Sequence, residues 1–156
     1  MQYSERLTVP LRWWVQGTML IATLWLAVAV AAPPLAAAVV ALAAMALLTA
    51  GFLSYGGVRV IVRNDEFRAG RAHITTGLVG AVAPLDADAT RRAAGVDADA
   101  RAYLLLRPYL KRSVRVEITD PADPAPYWLV ATRHPDQLAA ALQSATDPGM
   151  PKPTAG

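Results

Sequence analysis

The most polar stretch of the second half of the chain gathers Asp86, Asp88, Arg91, Arg92, Asp97, Asp99, Arg101 and Arg107. Carboxylates at such spacings are the groups that hold a divalent cation or act as general acid and base. Either task needs several oxygens converging at fixed distances, and neither a D-x-D-x-D-G loop nor an H-E-x-x-H helix is written here. Ion pairing around a loop and a short helix accounts for the same residues. The functional alternative is a recognition loop in which Arg91 and Arg92 meet a phosphate or carboxylate, with Asp86, Asp99 and Arg107 as further contacts.

His73 and His134 lack a second histidine, a cysteine or a suitably spaced aspartate, so no zinc pattern forms. Ser4, Ser54, Ser113 and Ser144 lie in no G-x-S-x-G setting. Cysteine is absent altogether, which removes thiolate chemistry and disulfides. Gly56-Gly57 is followed by no phosphate-loop lysine. No catalytic residue, metal ligand set or cofactor is therefore assigned, and a binding role is favoured over an enzymatic one.

A second polar group comprises Asp120, Asp123, Tyr127, Trp128, Thr132 and Arg133. Aspartates between prolines suit turns, and Trp128 suits a small core. The competing expectation is a partner groove beside the last strand, contacted by Trp128 and Arg133. Third come the arginines: Arg6 and Arg12 near the start, then Arg59, Arg63, Arg68 and Arg71 in quick succession. Near an anionic bilayer each is worth on the order of 1 kcal/mol.

What positions these groups is a stretch without charge. From Trp13 to Val58 there is not one ionised side chain, and Pro33-Pro34 divides the run near its middle. A bilayer core is crossed by roughly 20 apolar helical residues, so this run holds two crossings and a turn. Trp13 and Trp14 fit an interfacial belt or packing against the following domain. The Ala-rich second half suits close helix packing, within the hairpin or between two copies. Arg6, Arg12 and the small residues before Pro33 also suit a secretory signal, but the run exceeds an ordinary signal core and a second run follows at once. Two buried helices of a soluble protein are a further alternative. Basic residues flank both outer ends and none lies in the short loop, which predicts both termini in the cytoplasm. The formal net charge of +3 is too small for a nucleic-acid binder.

Beyond Val58 the period becomes two. Strands are expected over 58–63, 67–69, 72–76, 78–85, 101–107, 113–119 and 127–132. Asp86 or Asp88 is expected to cap a short helix, Ala89 to Ala94, and a last helix begins at Pro135, capped by Thr132 or Asp136. A disordered tail is expected from about Thr146. Short strands closed by a helix make a small antiparallel barrel or sandwich of the α+β class.

The chain resembles the DUF3093 family of small actinobacterial membrane proteins of uncharacterised function. The resemblance rests on Tyr3-Ser4-Glu5-Arg6-Leu7 before Pro10, the tryptophan pair, and Leu85-Asp86-Ala87 through Arg91, Arg92 and Gly95. It extends to Asp99 through Arg107-Pro108 and to Asp120-Pro121-Ala122-Asp123-Pro124 with Tyr127-Trp128-Leu129-Val130 and Thr132-Arg133-His134-Pro135. It implies a membrane protein whose soluble part is pleckstrin-homology-like, a bent sheet closed by a C-terminal helix. It brings no catalytic residues.

The resulting expectation divides the chain into a juxtamembrane lead (1–12) lying along the membrane surface, a transmembrane hairpin (13–57), a cytoplasmic PH-like domain (58–145) and a tail (146–156). The expected function is a membrane-anchored interaction module that binds a protein partner, a second copy or anionic lipid headgroups, with no nucleic acid. The runner-up is an enzyme or accessory subunit acting on a lipid or cell-envelope intermediate through the Asp86 to Arg107 cluster. A transporter or channel subunit is disfavoured by the uncharged spans.

Overall fold

The computed structural model describes residues 2–63 and 65–147. The chain forms two compact units, one of Leu7–Val58 and one combining the N-terminal strand with the chain from Arg59. The expected tail lies, from residue 148, outside the described residues.

The first unit is a helical hairpin. Helix α1 spans Leu11–Ala31 and α2 spans Pro34–Tyr55, each long and apolar enough to cross a membrane. At 1.5 Å per residue each is roughly 32 Å long, about the thickness of a bilayer's hydrocarbon core. Pro33 and Pro34 set the turn, and Pro34 occupies the first helical turn of α2, where its missing N–H has no partner to lose. Gly17 lets the helices approach, because a Cβ there would lie 2.8 Å from Leu48. Trp14 packs edge-on against Phe52 with centroids 5.0 Å apart, and Trp13 lies 6.4 Å from the same ring. The hairpin's open end is closed by the Leu7 N–H donating to the Val58 carbonyl at 2.9 Å. Only 6% of each apolar stretch is buried, which is the opposite of a soluble protein's core helix.

The second unit is α+β, with two four-stranded sheets. The first contains β1 (Tyr3–Arg6), β2 (Arg59–Arg63), β3 (Glu66–Ala69) and β4 (Ala72–Thr75) as an antiparallel meander in that order. Within the lead expected along the membrane surface, Tyr3–Arg6 forms strand β1, which pairs with the edge of β2. A 3₁₀ turn over Thr76–Leu78 leads to β5 (Val79–Leu85), helix α3 (Ala87–Ala94), β6 (Tyr103–Leu105), β7 (Ser113–Ile118), β8 (Tyr127–Ala131) and helix α4 (Pro135–Thr146). The second sheet runs β5-β7-β8-β6, antiparallel except for β6, which lies parallel to β8. Two separate sheets replace the expected closed barrel.

β8 is buried along its whole length, and both of its faces are covered. Tyr127 and Leu129 form a cluster with Ala93 of α3, joined by Leu85, Ala94, Ala102 and Leu106. Trp128 stacks obliquely on Phe67 of β3 at 5.7 Å and on Tyr103 at 5.4 Å, tying the sheets together. A strand covered on both sides reads as a continuous apolar run, as Tyr-Trp-Leu-Val-Ala does. α4 buries Leu138, Ala139, Ala141 and Leu142, the 3.6-residue stripe visible in its sequence. Leu129→Ala should destabilise the second unit by about 2–5 kcal/mol, whereas Leu104→Ala, at a more exposed position of β6, should cost far less. Denaturant titration of the full chain in mild detergent measures both. Equal losses would contradict β8 as the centre of the core.

Candidate functional site

The residues between 86 and 107 do not converge. Asp86 caps α3, its Oδ1 accepting the Ala89 N–H at 2.7 Å, which is the local service expected of an N-cap aspartate. Arg91 faces Asp88 at 3.8 Å on the exposed side of the same helix, and Arg92 is exposed beside it. Asp99 turns onto Arg101: it accepts that residue's backbone N–H at 2.8 Å and lies 3.4 Å from its guanidinium. Those hydrogen bonds hold the Asp99 carboxyl below the usual carboxylate range. Its own N–H donates to the Tyr127 hydroxyl at 3.0 Å. Arg107 donates to the Leu106 carbonyl at 3.4 Å. Among the described residues no three His, Asp or Glu side chains gather as a metal set would require.

Of the second group, Trp128 is core rather than contact surface, at 3% exposure. Asp120 and Asp123 close turns, accepting the N–H groups of Ala122 and Ala125 at 2.8 and 2.9 Å. Arg133 takes part in a buried clasp that sequence reasoning missed. Its centre is Glu5 of β1, 9% exposed. Glu5 Oε2 accepts from the Tyr3 hydroxyl at 2.7 Å and from the Thr132 hydroxyl, while Oε1 accepts the Arg133 N–H at 3.1 Å and lies 3.7 Å from its guanidinium. The Tyr3 and Thr132 hydroxyls are also within hydrogen-bond distance of each other at 3.1 Å, and either oxygen can be the donor. Thr132 Oγ1 then accepts the His134 N–H at 3.0 Å, so the expected capping threonine braces the turn into α4 rather than the helix itself. Burial, reinforced by Glu5 and opposed by Thr132, pushes the Tyr3 hydroxyl far above its ordinary value. This clasp joins two of the blocks that carried the family resemblance, Tyr3 to Leu7 and Thr132 to Pro135.

The arginines, by contrast, are assembled. Along β1 and β2 the inward positions are Glu5, Val60 and Val62, so the alternate positions face outward. Register places Arg6 opposite Arg59, Ser4 opposite Ile61, Ile61 opposite Arg68, Arg63 opposite Glu66, and Arg68 opposite His73. The outer face of the first sheet thus carries Arg6, Arg59, Arg63 and Arg68, all exposed, with Glu66 as its acidic member. Glu66 pairs with Arg68 at 3.3 Å. A shallow hollow of about 220 Å³ lies among Ile61, Arg63, Glu66 and Arg68. Arg71 is exposed in the turn after β3, and Arg12 lies on α1 in the other unit.

The model of the family described as "Protein of unknown function (DUF3093)" matches residues 2–142. No curated protein and no solved structure matches the chain.

Two outcomes follow from this geometry. Glu5→Ala should lower stability by about 1–3 kcal/mol, since it removes the acceptor of two hydroxyls and an N–H. Arg133→Gln should cost about 0–1 kcal/mol, because that ion pair is long and partly solvated. Thermal melts of the full chain give the order, and a larger loss for Arg133→Gln would refute the clasp as drawn. The lowered pKa of Asp99 stabilises the folded chain above the unfolded value and fades as pH falls through the folded one. Asp99→Asn should therefore flatten the acid limb of the stability profile, and an unchanged limb would show that the Arg101 contacts do not persist in solution.

Proposed function

This chain belongs to the DUF3093 family, and from that premise we propose that it is a membrane-anchored interaction module of the cytoplasmic face. The helical hairpin is the anchor, and the sheet-containing unit presents a binding surface to the membrane or to what sits on it. The observation that carries the reading is the pairing of β1 with β2. These neighbouring strands belong to one sheet, yet the whole apolar hairpin is threaded between them, so its two ends return to one place. A double crossing satisfies that constraint, and a single crossing does not.

Other observations support the same reading. The exposed apolar side chains of α1 and α2, among them Leu20, Leu26, Val30, Leu35 and Leu42, need a nonaqueous surrounding. Both threonine hydroxyls of α1 are satisfied locally, Thr18 on the Trp14 carbonyl and Thr23 on that of Met19, as lipid favours. Removal of a secretory signal at Pro33 would take away β1 and with it Glu5, an interior member of the sheet unit. The two sheets flanked by a C-terminal helix are the features that support a PH-like kinship. The basic outer ends of the hairpin support the cytoplasmic side. The runner-up, an enzyme or accessory subunit working through Asp86, Arg91, Arg92, Asp99 and Arg107, gains nothing from the geometry, because each of these residues has its own local setting.

The chain has no cysteine, so single labelling sites are unambiguous. In intact cells, Gln2→Cys and Gln143→Cys should resist a membrane-impermeant maleimide until the membrane is opened, whereas Pro33→Cys should react from outside. Positions 2 and 143 on opposite sides, or all three on one side, would overturn the hairpin anchor.

A further inference from the structure

We propose that the outer face of the first sheet docks onto the anionic phospholipid headgroups of the membrane that holds the hairpin, through Arg6, Arg59, Arg63 and Arg68. The proposal rests on the anchor reading and names the partner of that module. Its first support is where the charge lies. The chain has 15 basic and 12 acidic residues. Setting aside these four arginines and Glu66 leaves eleven of each sign, so the whole net positive charge sits on one sheet face.

The second support is that the fold gains nothing from setting Arg6 beside Arg59. Arg6 lies directly opposite Arg59, and like charges facing each other across a sheet repel. Among the described residues Arg6, Arg59 and Arg63 make no ion pair, and Glu66 is engaged by Arg68. Arginine forks bind phosphate oxygens in pairs, and two of them side by side complement a phosphodiester. Ser4 adds a hydroxyl and Ile61 a half-buried aliphatic patch in the next row.

The third support selects a bilayer over a soluble phosphorylated partner. Arg6 and Arg59 are covalent neighbours of Leu7 and Val58, where the hairpin unit begins and ends. One residue of chain spans at most about 3.5 Å. Arg59 is thus the first charge met beyond α2, and Arg6, opposite it, is the next met after Arg12 on the N-terminal side, at the place where headgroup phosphates lie. Each arginine removed should weaken the association about five-fold, and high salt should weaken it further.

The test uses the full chain in nanodiscs of phosphatidylcholine alone or with about one-third phosphatidylglycerol. A bimane label goes at Thr75→Cys, exposed on the same face opposite Glu66, and separately at Gln143→Cys on α4 as a control. In the anionic discs the label at position 75 should shift its emission to shorter wavelength and lose about two-fold of its iodide quenching, and high salt should reverse both. The label at 143 should not respond. Arg6→Gln with Arg59→Gln should abolish the headgroup dependence, the corresponding lysine pair should keep most of it, and Glu66→Gln should strengthen it. A label at 75 that ignores headgroup charge, a glutamine pair that behaves like the parent, or a shift seen only when membrane proteins are added would overturn the proposal, the last in favour of a protein partner. Failure of the chain to enter the disc would sink the anchor reading. Entry without a headgroup response would sink this inference alone.

Discussion

The structure depends on an antiparallel strand pair whose connection is a pair of apolar helices. An ordinary β-ribbon is closed by a few turn residues; here the ladder between β1 and β2 is interrupted by all of Leu7–Val58 and sealed at its base by the Leu7–Val58 hydrogen bond. The apolar segment satisfies its own backbone through helices, and the proline pair supplies the reversal. Tyr3–Arg6 consequently belongs to the sheet and brings Glu5 inside it. A buried carboxylate is tolerable only with donors around it, and the donors come from Tyr3 on the same strand and from Thr132 and Arg133, some 127 residues further along the chain. Strand β1 and the turn into α4 are thereby held to one another.

The legible parts of the sequence were those with a local signature. The uncharged run and Pro33-Pro34 define the two helices, because hydropathy needs no knowledge of partners. Val60 and Val62 alternating with Arg59, Ile61 and Arg63 mark β2, and Asp86 before a short polar helix marks its cap. Strand β1 was illegible because its inward positions hold Tyr3 and Glu5, polar groups whose partners lie far along the chain. The division into two sheets was hidden for a related reason: β6 pairs in parallel with β8, and no pattern in Tyr-Leu-Leu shows which neighbour it takes. β6 is also shorter than the run from Arg101 to Arg107 suggests, since the Asp99–Arg101 turn precedes it and Pro108 follows.

The candidate sites divide along the same line. Sequence density drew attention to the residues from 86 to 107, but density along a chain is not proximity around a ligand; a helix cap, an i,i+3 pair and a turn disperse those groups. The arginines were recognisable one by one as membrane flanks. That four of them share a face follows only from the register of three strands, one of which could not be read.

The outer sheet face and the clasp differ in what the fold asks of them. Around Glu5 every polar atom has a partner and the cluster explains itself as structure, so a ligand is unnecessary there. On the outer face the order is reversed: opposed arginines cost the sheet a repulsion that two threonines or an Arg–Glu pair would avoid, and the strand interior, with Val60, Val62 and Phe67 fully packed, would be unchanged by such a replacement. Positive-inside bias alone asks for basic residues somewhere within reach of the span ends and is indifferent to the face they occupy. Register has nonetheless placed them on the same side, with the first pair directly flanking the Leu7–Val58 unit. A surface that the interior does not require and that topology does not specify is the one whose composition has to be accounted for by something outside the chain.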